Sequence, residues 1–424
     1  MATVSSETLP EYRFSRRAVV QPSAIRELLR DASVPGMISL AGGMPRAELF
    51  DVEGIRQATR ETLRQAPRQA LQYGPTEGQE SLQRALAAHL SRRAIRVSPE
   101  SIQVTTGSQQ ALDLIARAFL DEGDRVALEV PTYLAAVQAF DLRGAHYLEI
   151  PAAADGADVD TLEAALAAER ANPAPKLAYI VSNFANPTGA SLSVERRLAL
   201  LRWAVARRVF LLEDDPYGDL RFHDRAPPPL WVLAQRMPGA AAWCGYVSSL
   251  SKIVSPGLRI GWMVLPPRVA NTVTRIKQAL DLHTSSFTQE VAARYLMAGE
   301  LERRLHTVRR TYAAQCAELC AALHDRLDDE ISFSVPDGGM FLWCRFRERV
   351  DTTMLLAHAR KHGVIFVPGA VFYPRGGDPA TLRLSFSTCS GEELREGVRR
   401  LELALRSYRG SSIGEIAPLR EHCP

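Results

Sequence analysis

IQVTTGSQQALDLIARAFLDEGDRVALEV, residues 102–130, reads as strand, helix and strand in succession. IQVTT is a short apolar strand that ends at Gly107. SQQALDLIARAFL carries apolar residues at i, i+3, i+4 and i+7 and so forms an amphipathic helix, and RVALEV is a second short strand. Working outward, the same alternation runs from about residue 54 to 265. It takes in the strands KLAYIVS, VFLLED, AAWCGYV and RIGWMVL, with helices such as SVERRLALLRWAVARR between them. That pattern predicts an α/β fold with a mostly parallel sheet covered by helices on both faces. Upstream, little is periodic except SAIRELLR, a short amphipathic helix capped by Ser23, which reads as an arm packed on something else. Downstream, a helical region over 286–325 leads to a smaller α+β segment. It has strands near 331–334, 340–346 and 381–386 and helices near 352–361 and 391–407. The Ala-rich stretch 151–175 and Pro-rich 227–229 read as local loops or helix edges, and there is no internal repeat. The division expected is an arm with part of a small domain at 1–53, a large domain at 54–290, and an interdomain helix with the rest of the small domain at 291–424.

The 424 residues are 46% hydrophobic, enough to bury a sizeable core in about two domains, and the formal charge is only +3. No Lys/Arg-rich run is interleaved with aromatics, so nucleic acid is not an expected partner, and no stretch approaches the roughly 18 apolar residues of a membrane span. The start, MATVSSETLPEYRFSRR, lacks an apolar signal core. The six cysteines are scattered without a C-x-x-C pair or nearby histidine, and Cys316 and Cys320, four apart on a predicted helix, read as buried thiols rather than half a metal site. A cytoplasmic protein with reduced thiols and no metal is the expectation. Lysine is rare, occurring only at Lys176, Lys252, Lys277 and Lys361. Any lysine chemistry must use one of the four.

Several stretches carry chemistry. At Gly107 the strand gives way to a helix opening at Ser108 and Gln109, whose free N–H groups make an anion site, although an ordinary strand-to-helix turn has the same signature. In SSLSKIVSPGLRIGW, residues 248–262, Ser249 and Ser251 precede Lys252, and Arg259 follows. Hydroxyls and a guanidinium are what a phosphate dianion needs, and a lysine beside them can condense with an aldehyde on the same molecule. Those two requirements meet in pyridoxal 5'-phosphate, which enzymes hold by its phosphate while presenting an amine. Lys176 precedes a strand, Lys277 sits on an amphipathic helix and Lys361 ends another, none with phosphate donors nearby. In LLEDDPYGDL a strand ends at Asp214 and Asp215; a carboxylate there can pair with a protonated pyridine nitrogen, and Tyr217 can bind the ring's phenolic oxygen. Two adjacent acids also suit a metal site or a plain strand-end turn. Asn186, in SNFANPTG, can donate to the phenolic oxygen and to a substrate carboxylate, and Tyr133, in EVPTY, can stack on the ring. Arg383 lies on the apolar strand TLRLSFS, where a charge needs a partner; a substrate α-carboxylate or an internal ion pair would serve.

Taken together, the chain resembles the fold type I pyridoxal-phosphate-dependent aminotransferases, class I/II, and is most similar to the branch of 2-aminoadipate, kynurenine and aromatic amino-acid aminotransferases. SAIREL, ISLAGGMP, LQYGPTEG, TTGSQQALD, VPTY, NPTG, EDDPYG, SLSKIVSPGLRIGW, PDGGMFLW and TLRLSFS follow in the family order from about Ser23 to Arg406. The resemblance implies an aspartate-aminotransferase-like fold, with a seven-stranded sheet in the large domain. It implies that Lys252 is the Schiff-base lysine, Asp214 the pyridine partner, and Asn186 and Tyr217 the phenolic-oxygen ligands. Tyr133 would stack on the ring, and Ser108, Gln109, Ser249, Ser251 and Arg259 would hold the phosphate. Tyr73, in LQYGPTEG, matches a tyrosine that reaches the neighbouring subunit's phosphate, which implies a homodimer with shared sites. Arg383 and the backbone at Gly42 would receive the α-carboxylate. Two departures stand out: the family's Y-x-x-P-x-x-Q-N-P-T-G reads YIVSNFANPTG, with Ser182 and Ala185 for proline and glutamine, and Met44 stands where many relatives have leucine.

The activity implied is ping-pong transamination from an L-amino acid to a 2-oxo acid, by family habit 2-oxoglutarate. The donor stays open among 2-aminoadipate, aromatic, aliphatic and pathway-specific amino acids. Arg26, in SAIRELL, matches a position that meets a distal carboxylate in that branch, and is equally an exposed charge on an amphipathic helix. Decarboxylation, elimination or oxidation would use the same cofactor. A regulator that joins a winged helix-turn-helix to an aminotransferase-like domain is a remoter reading, since only about 35 residues precede ISLAGGMP and they lack a basic recognition helix.

Overall fold

The structure is a computed structural model that describes residues 12–15, 28, 30–153, 156–168, 173–223 and 227–414, the last four by their backbone alone. Ser23 and Arg26 lie outside the described residues. The strands of the large sheet are β1 (Ile102–Thr105), β2 (Arg125–Val130), β3 (His146–Ala153), β4 (Gly156–Ala157), β5 (Leu177–Val181), β6 (Phe210–Asp214), β7 (Cys244–Ser249) and β8 (Gly261–Val264). Their spatial order is β1-β8-β7-β6-β5-β2-β3-β4, eight strands where seven were expected, the addition being the two-residue edge strand β4. Strands β3, β2, β5, β6 and β7 are mutually parallel, β8 runs against both its neighbours, and two-residue β4 folds back on β3. Strands β5, β6 and β7 are buried at every position; β5 reads as an unbroken apolar run, while β6 ends in Glu213 and Asp214 and β7 in Ser248 and Ser249.

Strand β8 reverses because the link 250–260 is too short for the helical crossover that a parallel neighbour needs. Two reversals leave β1 pointing the same way as β7, so the carboxyl ends of β1, β2, β5, β6 and β7 share one edge. That edge is where ligands gather in an open α/β sheet. The helices of this part include α1 (Val52–Gln65), α2 (Glu80–Ser91), α3 (Ser108–Phe119), α4 (Leu134–Asp141), α5 (Val159–Ala168), α6 (Val194–Arg207) and α7 (Pro267–Leu280). Helix α3 buries Leu112, Leu114 and Ile115 completely, each contributing about 1.5–3 kcal/mol relative to exposure.

The helical region expected at 286–325 is two helices, α8 (Ser286–Met297) and α9 (Leu301–Leu327), broken at Gly299 with φ 80°. Beyond it lies a second, antiparallel sheet of β9 (Ile331–Phe333), β10 (Phe341–Phe346), β11 (Val367–Pro368) and β12 (Thr381–Ser385), in the order β9-β10-β12-β11. Helices α10 (Thr352–Lys361) and α11 (Gly391–Gly414) complete this part. Residues Ile38–Ser39 pair in parallel with Val364–Ile365, tying the segment that precedes α1 to the part of the chain that follows α9. Strand β3 corrects the sequence reading, which leaves 146–150 unassigned and takes the Ala-rich stretch from 151 as loop or helix edge. Among the described residues, no helix is long and apolar enough to cross a membrane.

Candidate active site

Lys252 ends the short helical turn Leu250–Lys252 that leaves β7. Just before it, Ser249 Oγ accepts the Ser251 N–H at 3.0 Å and lies 2.8 Å from the Ser251 hydroxyl. Arg259, at the far end of the link, has φ 53° and lays its guanidinium on Gly107. A Cβ at Gly107 would stand 2.6 Å from Arg259 Nη2, and one at Gly261 would stand 2.5 Å from the Gly107 carbonyl carbon. Both positions must be glycine for strand and turn to meet. Arg259 reaches the Pro256 and Thr106 carbonyls only at 3.4 Å, long bonds that a dianion would readily displace. Ser108 opens α3 at the same spot, adding the N–H groups of a helix start.

Lys252 Nζ donates to the Gly43 carbonyl at 2.8 Å. Burial brings its ammonium down to about 8, and the positive charges of Arg383 and Arg259 push the same way. An amine so placed carries a usable unprotonated fraction near neutrality, the condition for nucleophilic and base roles.

Asp214 closes β6 at 2% exposure. Its Oδ2 accepts the Tyr179 hydroxyl at 2.8 Å, while its Oδ1 is buried without a hydrogen-bond partner among the described residues. Burial raises this carboxyl to about 7; the Tyr179 bond opposes the rise, and the neighbouring Asp215 and Glu213 add to it. Those two acids have partners of their own. Glu213 Oε1 accepts from Ser182 Oγ at 2.6 Å, and Asp215 accepts from Asn183 Nδ2 at 2.9 Å and from Arg93. Ser182, one of the departures from the family pattern, therefore braces the strand beside Asp214. The orphaned Oδ1 calls for a cationic N–H donor.

Arg383, on β12 opposite Trp343 of β10, is 1% exposed. Its Nη1 donates to Asn186 Oδ1 and its Nη2 to the Ala41 carbonyl, both at 2.6 Å, while Nε has no partner among the described residues. The guanidinium carbon lies 4.3 Å from the centre of the Phe341 ring and 5.1 Å from that of Phe372. Burial lowers it to about 10. No carboxylate of this chain pairs with it, so the internal ion pair considered above is not made among the described residues. Gly42 sits between Ala41, which binds Arg383, and Gly43, which binds Lys252. Burial pushes Tyr133 up to about 12 and Tyr217 still higher, so both keep their phenolic protons.

One cavity gathers Ser108, Tyr133, Asn186, Asp214, Tyr217, Ser249, Ser251 and Lys252, with Val181 and Pro216 between them. Arg259 borders it at Gly107 and Arg383 at Asn186. The Gln109 side chain turns away and donates to the Ala135 carbonyl at 3.0 Å, leaving its backbone at the helix start. Tyr73 is 78% exposed and lines a separate concavity with Leu71, His283 and Phe287. Sequence reasoning missed Tyr179, Gly43 and Phe341. A hydroxyl inside the apolar run KLAYIVS was the one available signal for Tyr179.

The family model for aminotransferase class I and II matches residues 35–401. The chain is 40% identical over 389 residues to the 2-aminoadipate transaminase of Thermus thermophilus, covering 91% of this chain and 94% of that one. It is 37% identical over 396 residues to aromatic-amino-acid aminotransferase 1 of Thermococcus litoralis, covering 92% and 93%. The solved alpha-aminoadipate aminotransferase of Thermus thermophilus, complexed with N-(5'-phosphopyridoxyl)-L-leucine, superposes with a TM-score of 0.85 at 38% identity, covering 94% of this chain and 98% of the other.

Proposed function

From the premise that this chain belongs to the class I and II aminotransferases and uses pyridoxal 5'-phosphate, we propose that the cavity around Lys252 is where it moves an amino group from an L-amino acid to 2-oxoglutarate. The observation that carries the reading is one cavity that gathers a half-buried lysine amine and an Asp214 oxygen without a partner among the described residues, with a buried arginine at its border on Asn186. The residues fit the cofactor. Ser108, Ser249, Ser251, Arg259 and the N–H groups at the start of α3, that of Gln109 included, are donors for its phosphate. Asp214 Oδ1 is the acceptor for its ring nitrogen, Asn186 and Tyr217 suit its phenolic oxygen, and Tyr133 suits its ring face. Bound there, pyridoxal phosphate would supply an electron sink for the bonds at the substrate Cα.

The chain's own groups do the rest. Lys252 Nζ would hold the cofactor's aldehyde and, once released, would carry the proton from the substrate Cα to the cofactor's former aldehyde carbon with the amino donor, and from that carbon back to Cα with the 2-oxo acid. Its lowered proton affinity suits both directions. Arg383, already pointing two N–H groups at carbonyl-type oxygens, receives the substrate α-carboxylate with the Gly42 backbone and orients Cα toward Lys252. Asp214 stays ionised against a cationic ring.

The relatives act on 2-aminoadipate and on aromatic amino acids, so those are the donors to try first, with Arg26 the candidate for a distal carboxylate. A homodimer in which Tyr73 serves the neighbouring subunit is supported by its exposure outside its own cavity. The five cysteines among the described residues are buried free thiols, which supports a cytoplasmic location. The test is a screen of amino donors followed by absorbance. A true donor converts the cofactor to its amine form, and 2-oxoglutarate or pyruvate restores it; release of ammonia or carbon dioxide without that exchange would refute transamination.

A further inference from the structure

Lys277 shows no phosphate donors near it in sequence, yet its side chain is 2% exposed and reaches the turn that opens α3. Its Nζ donates to Asp281 Oδ1 at 2.8 Å, to Asp281 Oδ2 at 3.0 Å and to Gln110 Oε1 at 3.2 Å. Asp281 Oδ2 also accepts from Gln110 Nε2 at 2.6 Å and from Thr106 Oγ1 at 3.2 Å. Gln110 Oε1 accepts the Thr106 backbone N–H at 2.8 Å, and the Thr284 hydroxyl lies 3.2 Å from that of Thr106. The Thr106 carbonyl takes Arg259. Thus the N–H, hydroxyl and carbonyl of Thr106 are all held, two of them by one cluster. Thr106 is the residue before Gly107, whose φ of 77° begins the helix start at Ser108.

We propose that Lys277 and Asp281, acting through Gln110 and Thr106, are positioning residues that set the phosphate-binding turn Thr106–Ser108 and so serve the cofactor's phosphate rather than its ring. The inference rests on reading that turn as the phosphate site. Its physical basis is that a buried ammonium is costly unless fully paired, and here all its acceptors lie on Asp281 and on a residue of α3's first turn. Burial pulls the Lys277 ammonium down while Asp281 pulls it up, as expected of a desolvated pair. A glycine-containing turn held at the Thr106 N–H and hydroxyl loses little further entropy when a dianion arrives and takes Arg259 from the Thr106 carbonyl.

The test compares equilibrium binding of pyridoxal phosphate and of pyridoxal, the same aldehyde without the phosphate, to the cofactor-free full-length protein, read by absorbance. Asp281→Ala is expected to weaken pyridoxal phosphate binding about tenfold while leaving pyridoxal within about twofold, because hydrogen bonds to charged groups are of that order. That variant strands a buried ammonium, so the pair Lys277→Met with Asp281→Ala, which removes both charges, is the second construction and should show the same phosphate-selective loss. Asp281→Asn, which keeps an acceptor for Thr106, should recover part of it. Equal weakening of both ligands, or weakening of neither, overturns the proposal. A wild type that binds the two ligands alike overturns the phosphate-site reading and this inference with it.

Discussion

Asparagine in place of Asp214, in protein freed of cofactor, isolates the electrostatic cost of the site. Asp214 carries a carboxyl raised from 3.8 to about 7, chiefly by burial. In the unfolded chain it ionises near 3.8, so between those two values the folded state holds a proton that the unfolded state has released. A raised value therefore stabilises fully below about pH 3.8, and that contribution is lost as the pH rises toward 7. Some 3 pH units at about 1.36 kcal/mol each give a loss of about 4 kcal/mol. Asparagine keeps the shape and does not titrate. Glu129, pushed up to about 7, and Glu213, also raised, titrate in both proteins and largely cancel in the difference. The assay is urea denaturation of both proteins between pH 4 and 8. The stability of wild type minus that of the variant should fall by roughly 4 kcal/mol across the range and level off above about pH 7. Added pyridoxal phosphate should abolish the fall, because a cationic partner lowers the carboxyl back toward its unfolded value. A difference flat to within about 1 kcal/mol without cofactor would refute the reasoning, since Asp214 would then already be ionised and partnered.

Other perturbations probe the remaining groups. Tyr179→Phe deletes the 2.8 Å donor to Asp214 and should move the end of that same difference curve upward by about one pH unit. Lys252→Ala should still take up cofactor by its phosphate yet lose about a thousandfold or more in turnover, measured with any donor the screen identifies; undiminished turnover would remove Lys252 from the chemistry. Arg383→Lys exchanges a planar fork for a point charge and should raise KM for both amino acid and 2-oxo acid by about 10–100-fold, with kcat changing less. For Tyr73→Phe, cofactor should leave about fivefold faster on dilution while the sedimentation coefficient remains that of a dimer, one hydrogen bond to phosphate having been lost.

The large sheet was legible where burial on both faces makes a strand an apolar run, as in β5 and in Phe210–Leu212 of β6. Strand β3 escaped because HYLEIPAA runs into alanines of low strand propensity and contains Pro151, which has no N–H for a ladder. Its pairing with β2 over six successive positions, from Arg125↔His146 to Val130↔Pro151, overrides both. The reversal of β8 was likewise invisible, since an apolar run has no direction.

Residue types alone determined the chemistry available here: one lysine flanked by phosphate donors, acids and an amide at strand ends, and an arginine on an apolar strand. Local spacing sufficed for that because Ser249, Ser251, Lys252 and Arg259 lie on one short link. Tertiary structure alone decided what each group feels. Tyr179 meets Asp214 across 35 positions, Lys252 meets Gly43 across 209, and Arg383 meets Ala41 across 342. It also decided that Lys277 lies against the first turn of α3, beside Thr106–Ser108. The reason is physical: hydrogen-bond partners across such separations, and the desolvation that moves Lys252 and Asp214 toward neutrality, exist only once strand register and packing have excluded water around them.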